Sequence, residues 1–152
     1  MKVCINMSQK QVPIQEGLFT WPSASPRLIG SKCNHCGEVL FPAQKTCSAC
    51  CLQDVVNIEL STRGKLWTWT IQGFPPKSPP YFRPETPDSF VPYGVGYVEL
   101  PEKVRVETRL KQNNPEKLKI GMTMELVIEK FMEDADGNEV MCFAFKPVEE
   151  AE

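Results

Sequence analysis

Five of the chain's seven cysteines fall within nineteen positions, Cys33, Cys36, Cys47, Cys50 and Cys51. Cys33-x-x-Cys36 and Cys47-x-x-Cys50 each suit a tight turn whose backbone amides point at the thiolates. Two such turns facing each other would supply a tetrahedral four-sulfur site, with the ten residues between them forming a short ribbon. Gly37 follows the first pair, where a knuckle turn favours a residue free to take positive φ. Cys51 stands at the matching place after the second pair; the C-x-x-C register favours Cys50 over it as ligand. Zinc is the first candidate for the metal, and a single iron, as in rubredoxin-type sites, meets the same demands. A pair of disulfides or a thiol switch would need a setting for which the chain gives no sign. Its opening "MKVCINMSQKQVPIQEG" has no apolar h-region, no run reaches membrane-span length, and a cytoplasmic location is expected.

Such a site holds a shape. Four cysteines leave no open coordination position, so the metal could not activate a water. Acyl transfer through a thiol would need a general base, usually histidine, beside the nucleophile. The only histidine, His35, lies inside the first knuckle and is expected to face solvent. Catalysis by the chain alone is therefore not expected; if it occurred, Cys51 would be the candidate thiol.

The elements that must hold this site read as β throughout. "VLFP" leaves the first knuckle as a strand. "GKLWTWTIQG" (64–73) alternates, placing Trp67, Trp69 and Ile71 on one face, read as core. "YGVGYVEL" (93–100) carries two glycines that permit a bend or a close backbone approach. "KVRVETRLK" (103–111) puts Val104, Val106, Thr108 and Leu110 inward. "TMELVIEK" (123–130) and "EVMCFAFKP" (139–147) flank "DADGN", a hairpin turn, and Cys142 in the second is read as a small buried hydrophobe. Between the third and fourth strands, Asn114, Pro115 and Gly121 cap, open and end a short helix. The predicted fold is mostly β: a rubredoxin-like zinc ribbon, then a five-stranded OB-fold barrel with a short helix between strands 3 and 4. Another small barrel would fit the same pattern.

The 152 residues divide accordingly into an N-terminal arm (1–26), ribbon (27–59), barrel (60–148) and tail (149–152). The first stretch reads as an arm rather than a core element, with Phe19 and Trp21 available to pack on the barrel or on a partner. The barrel's first connection, "FPPKSPPYFRPETPDSFVP" (74–92), holds seven of the fourteen prolines and reads as a preformed contact surface with Phe74, Tyr81, Phe82, Arg83 and Phe90. The net charge of −2 splits into +4 over residues 27–83 and −7 over 84–152.

The order of these motifs is familiar. "EGLFTWPSASPRLIGSKCNHCGEVLFPAQKTCSAC", "LSTRGKLWTWT", "PYGVGYVEL", "LKIGMTMELVIEKF" and the closing "FAFKP" resemble the zinc-ribbon plus OB-fold family known as domain of unknown function 35. The resemblance spans about Glu16 to Pro147. It implies a non-catalytic accessory subunit that docks on an acyl-CoA enzyme of the thiolase superfamily and shapes its CoA region. Within the family, "LIGSKC" and the lengthened proline loop resemble small subunits of thiolases from anaerobic toluene breakdown. On that reading the metal ligands are Cys33, Cys36, Cys47 and Cys50. A CoA thioester shared with the partner would then find Lys45, Arg63, Lys65 or Arg83 for its phosphates. Two departures stand out: "CSACC" replaces the family's frequent Cys-Pro-x-Cys-Gly, and the N-terminus lacks the helix pair of many members.

The competing reading is a single-stranded nucleic-acid binder, with Trp67, Trp69, Tyr93 and Tyr97 as a stacking platform. Against it, a sequence pI of 5.6 and an acidic C-terminal half make a poor footprint for a phosphate backbone.

Overall fold

The computed structural model describes residues 10–77 and 86–149. Its strands are β1 (Gln11–Pro13), β2 (Ile29–Cys33), β3 (Val39–Leu40), β4 (Val55–Glu59), β5 (Arg63–Gln72), β6 (Tyr93–Glu99), β7 (Arg105–Leu110), β8 (Thr123–Glu133) and β9 (Glu139–Pro147). β2 lies between β3 and β4 in a three-stranded antiparallel ribbon. β5 to β9 form the OB-fold barrel. β5, β6 and β7 pair in sequence, β8 and β9 form a long hairpin, and closure comes from β5 against β8 and a parallel contact of β7 with β9. No helix among the described residues is long and apolar enough to cross a membrane.

Alternation explains most of the core. Val104 and the inward residues of β7 (Val106, Thr108 and Leu110) are all buried, as their spacing predicts. They meet Leu66, Val98, Met124 and Phe145, all at 1% exposure or less. Each such side chain stabilises the fold by roughly 1.5–3 kcal/mol relative to exposure. The two glycines of β6 serve close approach: a Cβ on Gly96 would sit 2.4 Å from the Thr68 carbonyl oxygen, and one on Gly94 as near that of Gln112.

The structure corrects three expectations. In β5 the pairing with β6 steps from Leu66↔Val98 to Thr68↔Tyr97, so Trp67 is the extra residue of a bulge. The bulge resets the parity: Leu66, Trp69 and Ile71 join the core, while Trp67 turns outward and is 45% exposed. Second, the arm belongs to the core. Leu18 and Phe19 are buried with the barrel's residues, and β1 adds to β9 as a parallel edge strand. Third, the helix between strands 3 and 4 of the barrel is one 3-10 turn, Pro115–Lys117. Asn114 caps it through the Glu116 amide (3.0 Å), but Leu118 returns to extended backbone and inserts into the core, so the turn stops before Gly121.

Ribbon and barrel share their core, with Leu28 and Leu60 fully buried in the same cluster as the barrel residues. The linker is latched by the Glu102 carboxylate, which accepts from the Ser61 amide (2.8 Å) and hydroxyl (2.7 Å).

Candidate metal centre and barrel surface

The two knuckles are built alike. The Gly37 amide donates to the Cys33 carbonyl (3.0 Å) and the Cys51 amide to the Cys47 carbonyl (2.9 Å). The Cys33 amide donates to Glu38 and the Cys47 amide to Leu52, both at 2.9 Å. Gly37 and Cys51 both take left-handed backbone, with φ of 78° and 62°. This geometry turns the amides after each first cysteine inward, and the four thiols of Cys33, Cys36, Cys47 and Cys50 converge within 4.8 Å of one another. Cys33 and Cys50 sulfurs are 3.6 Å apart, Cys36 and Cys47 sulfurs 3.5 Å. A tetrahedral zinc with bonds of about 2.3 Å has sulfurs about 3.8 Å apart, so the set fits a metal. All four are free thiols rather than disulfides.

Electrostatics agree. The Cys36 amide, then the amide of His35 and the neighbouring thiols, pull Cys33 down to about 7 against a burial cost. At Cys50 the Leu52 amide pulls down, but burial and the other three thiols outweigh it and push the group up to about 12. Cys36 is also raised: the Glu38 amide is outweighed by the Cys47 thiol, burial and Cys33. Without a cation the cluster favours one thiolate over four; a divalent ion removes that mutual repulsion. His35 and Cys51 are exposed beside the site.

Of the four basic residues expected at CoA phosphates, two line one concavity. Arg63 and Lys65 lie together on β5, where they line a concavity of about 350 Å³ with Lys103. Arg63 pairs with Glu125 at 3.3 Å and Lys65 donates to the Thr123 hydroxyl at 2.8 Å. Lys45 is exposed on the ribbon, and Arg83, with Tyr81 and Phe82, lies outside the described residues. Of the proline loop's described ends, Phe74 and Val91 are 70% and 68% exposed.

A second feature escaped the sequence reading. On the barrel's outer face the Arg105 guanidinium lies 3.8 Å over the Trp67 ring and that of Arg109 3.9 Å over Tyr93. Trp67 meets Tyr97 edge-on. Tyr93, Tyr97, Arg105 and Arg109 border a cleft of about 640 Å³ between β6, β7 and the ribbon's Phe41 and Pro42. Period-two spacing does place Arg105 and Arg109 outward on β7, and Tyr93 and Tyr97 share one face of β6. The register that brings the two together is not local information. Cys142, half-buried rather than buried, also lines the cleft; burial raises its pKa, partly offset by the Phe143 amide and the Arg109 charge.

Comparison with known proteins fits this architecture. Residues 21–52 match the rubredoxin-like zinc ribbon domain of ChsH2 and residues 57–129 its C-terminal OB-fold domain. A DUF35 domain-containing scaffold protein of Pyrococcus furiosus is 35% identical over 83% of this chain and 87% of its own length. Benzoylsuccinyl-CoA thiolase subunit BbsA of Thauera aromatica is 25% identical over 82% of this chain and 78% of its own. A solved structure described as an Ltp2-ChsH2(DUF35) aldolase superposes with a TM-score of 0.56 at 26% identity, covering 80% of this chain and 84% of that one. The chain belongs to the DUF35 family, joining a rubredoxin-like zinc ribbon to an OB-fold barrel.

Proposed function

We propose that this chain is a non-catalytic accessory subunit that docks on the catalytic chain of a thiolase-superfamily acyl-CoA enzyme and shapes its CoA region. The observation that carries this reading is the extent of the likeness. Relatives named as a scaffold protein and as a thiolase subunit are each matched over more than three quarters of their own length. The site chemistry supports it: the thiols that converge form a closed four-sulfur set, and the only histidine is exposed on a knuckle. Zinc is the metal assigned to that set. Arg63 and Lys65, with Lys103 beside them, are the residues proposed to meet CoA phosphates. Lys45 and Arg83 remain proposals of the same kind. A role in anaerobic toluene breakdown draws its support from the BbsA likeness and from "LIGSKC".

The nucleic-acid reading gains Trp67, which the bulge turns outward on an OB-fold face. It loses ring area, because guanidinium groups already lie over Trp67 and Tyr93.

The test is recovery of the tagged full chain from its own host, with mass spectrometry of what stays bound. A thiolase-superfamily chain in near-equal amount is the expected result. In that assembly, Arg63→Glu with Lys65→Glu should raise KM for the acyl-CoA by roughly tenfold or more, the scale of a lost charged hydrogen bond. An unchanged KM would remove both residues from CoA capture, and a partnerless chain that binds single-stranded DNA with steep salt dependence would replace the subunit reading.

A further inference from the structure

Arg109 is a half-buried guanidinium for which no acceptor and no carboxylate within 4.0 Å is found among the described residues. Two rings hold it, Tyr93 at 3.9 Å and Phe131 at 5.5 Å from their centroids. Stacking covers the face of the group and leaves its N–H edge, the part that grips a carboxylate through two parallel bonds. Arg105, by contrast, already gives its Nε–H to Glu99 at 3.0 Å. Arg109 is thus a fixed positive centre within the half of the chain that carries −7.

Apolar and charged groups surround it: Phe41, Val95 and Phe143 line the same cleft together with Glu107 and Arg105. Phe41 is itself braced edge-on against Phe143 at 5.6 Å. Exposed apolar surface continues past the cleft at Trp67 and at Val91, two residues before Tyr93. The Trp, Tyr and Arg content of this patch is that of the anchor residues of protein interfaces.

We propose that this cleft is the surface on which the catalytic partner docks. Its occupant is a segment of that partner that sets an Asp or Glu carboxylate against Arg109 and a bulky apolar side chain among Phe41, Tyr93 and Phe143. The proposal rests on the accessory-subunit reading and adds to it the surface and the chemistry of the contact. Preorganised by its rings, Arg109 loses little freedom on docking, and among the described residues the nearby carboxylates are engaged elsewhere, Glu107 with the Tyr97 hydroxyl and Glu129 with Lys111.

The test uses the full chain in its own host, with a photo-crosslinking residue at Tyr97 or, as a control, at Lys146 in a separate concavity. The expected result is a cross-link from position 97, and not from 146, to the acyl-CoA catalytic chain. Arg109→Glu should lower the amount of that chain recovered at least tenfold while metal content stays unchanged and the chain still melts cooperatively, at a somewhat lower midpoint for the lost ring contacts. Reversing the cross-linked partner's nearest carboxylate to lysine should restore it. If the wild-type chain holds its partner but cross-links only from position 146, or if Arg109→Glu holds as much, docking uses another face. Should Arg109→Glu fail to fold, Arg109→Gln and the cross-links in the otherwise native chain decide the matter. A wild-type chain that retains no acyl-CoA catalytic chain overturns the subunit reading, and this proposal with it.

Discussion

Cys51 shows what one residue can cost. It occupies in the second knuckle the place that Gly37 holds in the first, with the same amide-to-carbonyl bond and the same left-handed φ. A side chain in that region is strained by roughly 1–2 kcal/mol. Cys51→Gly should therefore stabilise the metal-loaded chain by about 1 kcal/mol in denaturant titration and leave one metal per chain. A loss of metal would show that Cys51 ligates after all. The ligand spacing and this equivalence could both be read from the sequence, because a knuckle is a local turn with local demands. Trp67 could not. Whether it faces the core depends on where β5 slips against β6, and that register belongs to the assembled sheet. The same dependence on a neighbouring strand hid Arg109 on its rings.

Among the elements, the β8–β9 hairpin answers most directly to its sequence. In "DADGN", Asp134 accepts from the amides of Asp136 (3.0 Å) and Asn138 (2.8 Å), while Gly137 takes φ of 79°. The Asn138 amide and side chain, with the other turn amides, hold the Asp134 carboxyl below its usual 3.8. A depressed folded-state pKa means that this contribution is fully present above the unfolded value and is lost as pH falls through the folded one. Asp134→Ala should lower the melting midpoint at pH 7. The gap to the native chain should close on acidification below about pH 3.8, the value it has when free; a gap constant across that range would show that the loss is not electrostatic. The expected helix at 114–121 was half legible. Its cap and proline are where the sequence puts them, but the demand of the core for Leu118 ends it after one 3-10 turn. The arm was misread because Leu18 and Phe19 sit among prolines and serines, without periodicity, and only the assembled core shows the space they fill.

At the scale of the molecule, fold class was legible because alternation, turn residues and cysteine spacing all point one way. The joint between the two parts was not. Leu28, Leu60 and the Ser61–Glu102 latch tie ribbon to barrel, so the ribbon is no free appendage. Metal analysis of the purified chain should give one zinc; iron in its place would correct the assignment. Chelation should open the knuckles first: hydrogen exchange at the amides of Cys33, Gly37, Cys47 and Cys51 speeds up while Val98 and Val106, fully buried in the barrel, stay slow, and the melting midpoint falls. Knuckle amides that stay protected after metal removal would show that packing alone holds the ribbon. The Phe41–Phe143 contact carries one more consequence. Phe41 comes from the loop that the metal ties down, yet it forms a wall of the barrel's cleft. If metal loading orders Phe41 for the proposed docking, reciprocity requires that whatever fills the cleft tighten the hold on the metal by the same factor. On that reading, a chain stripped of its metal would lose its partner before it lost the barrel.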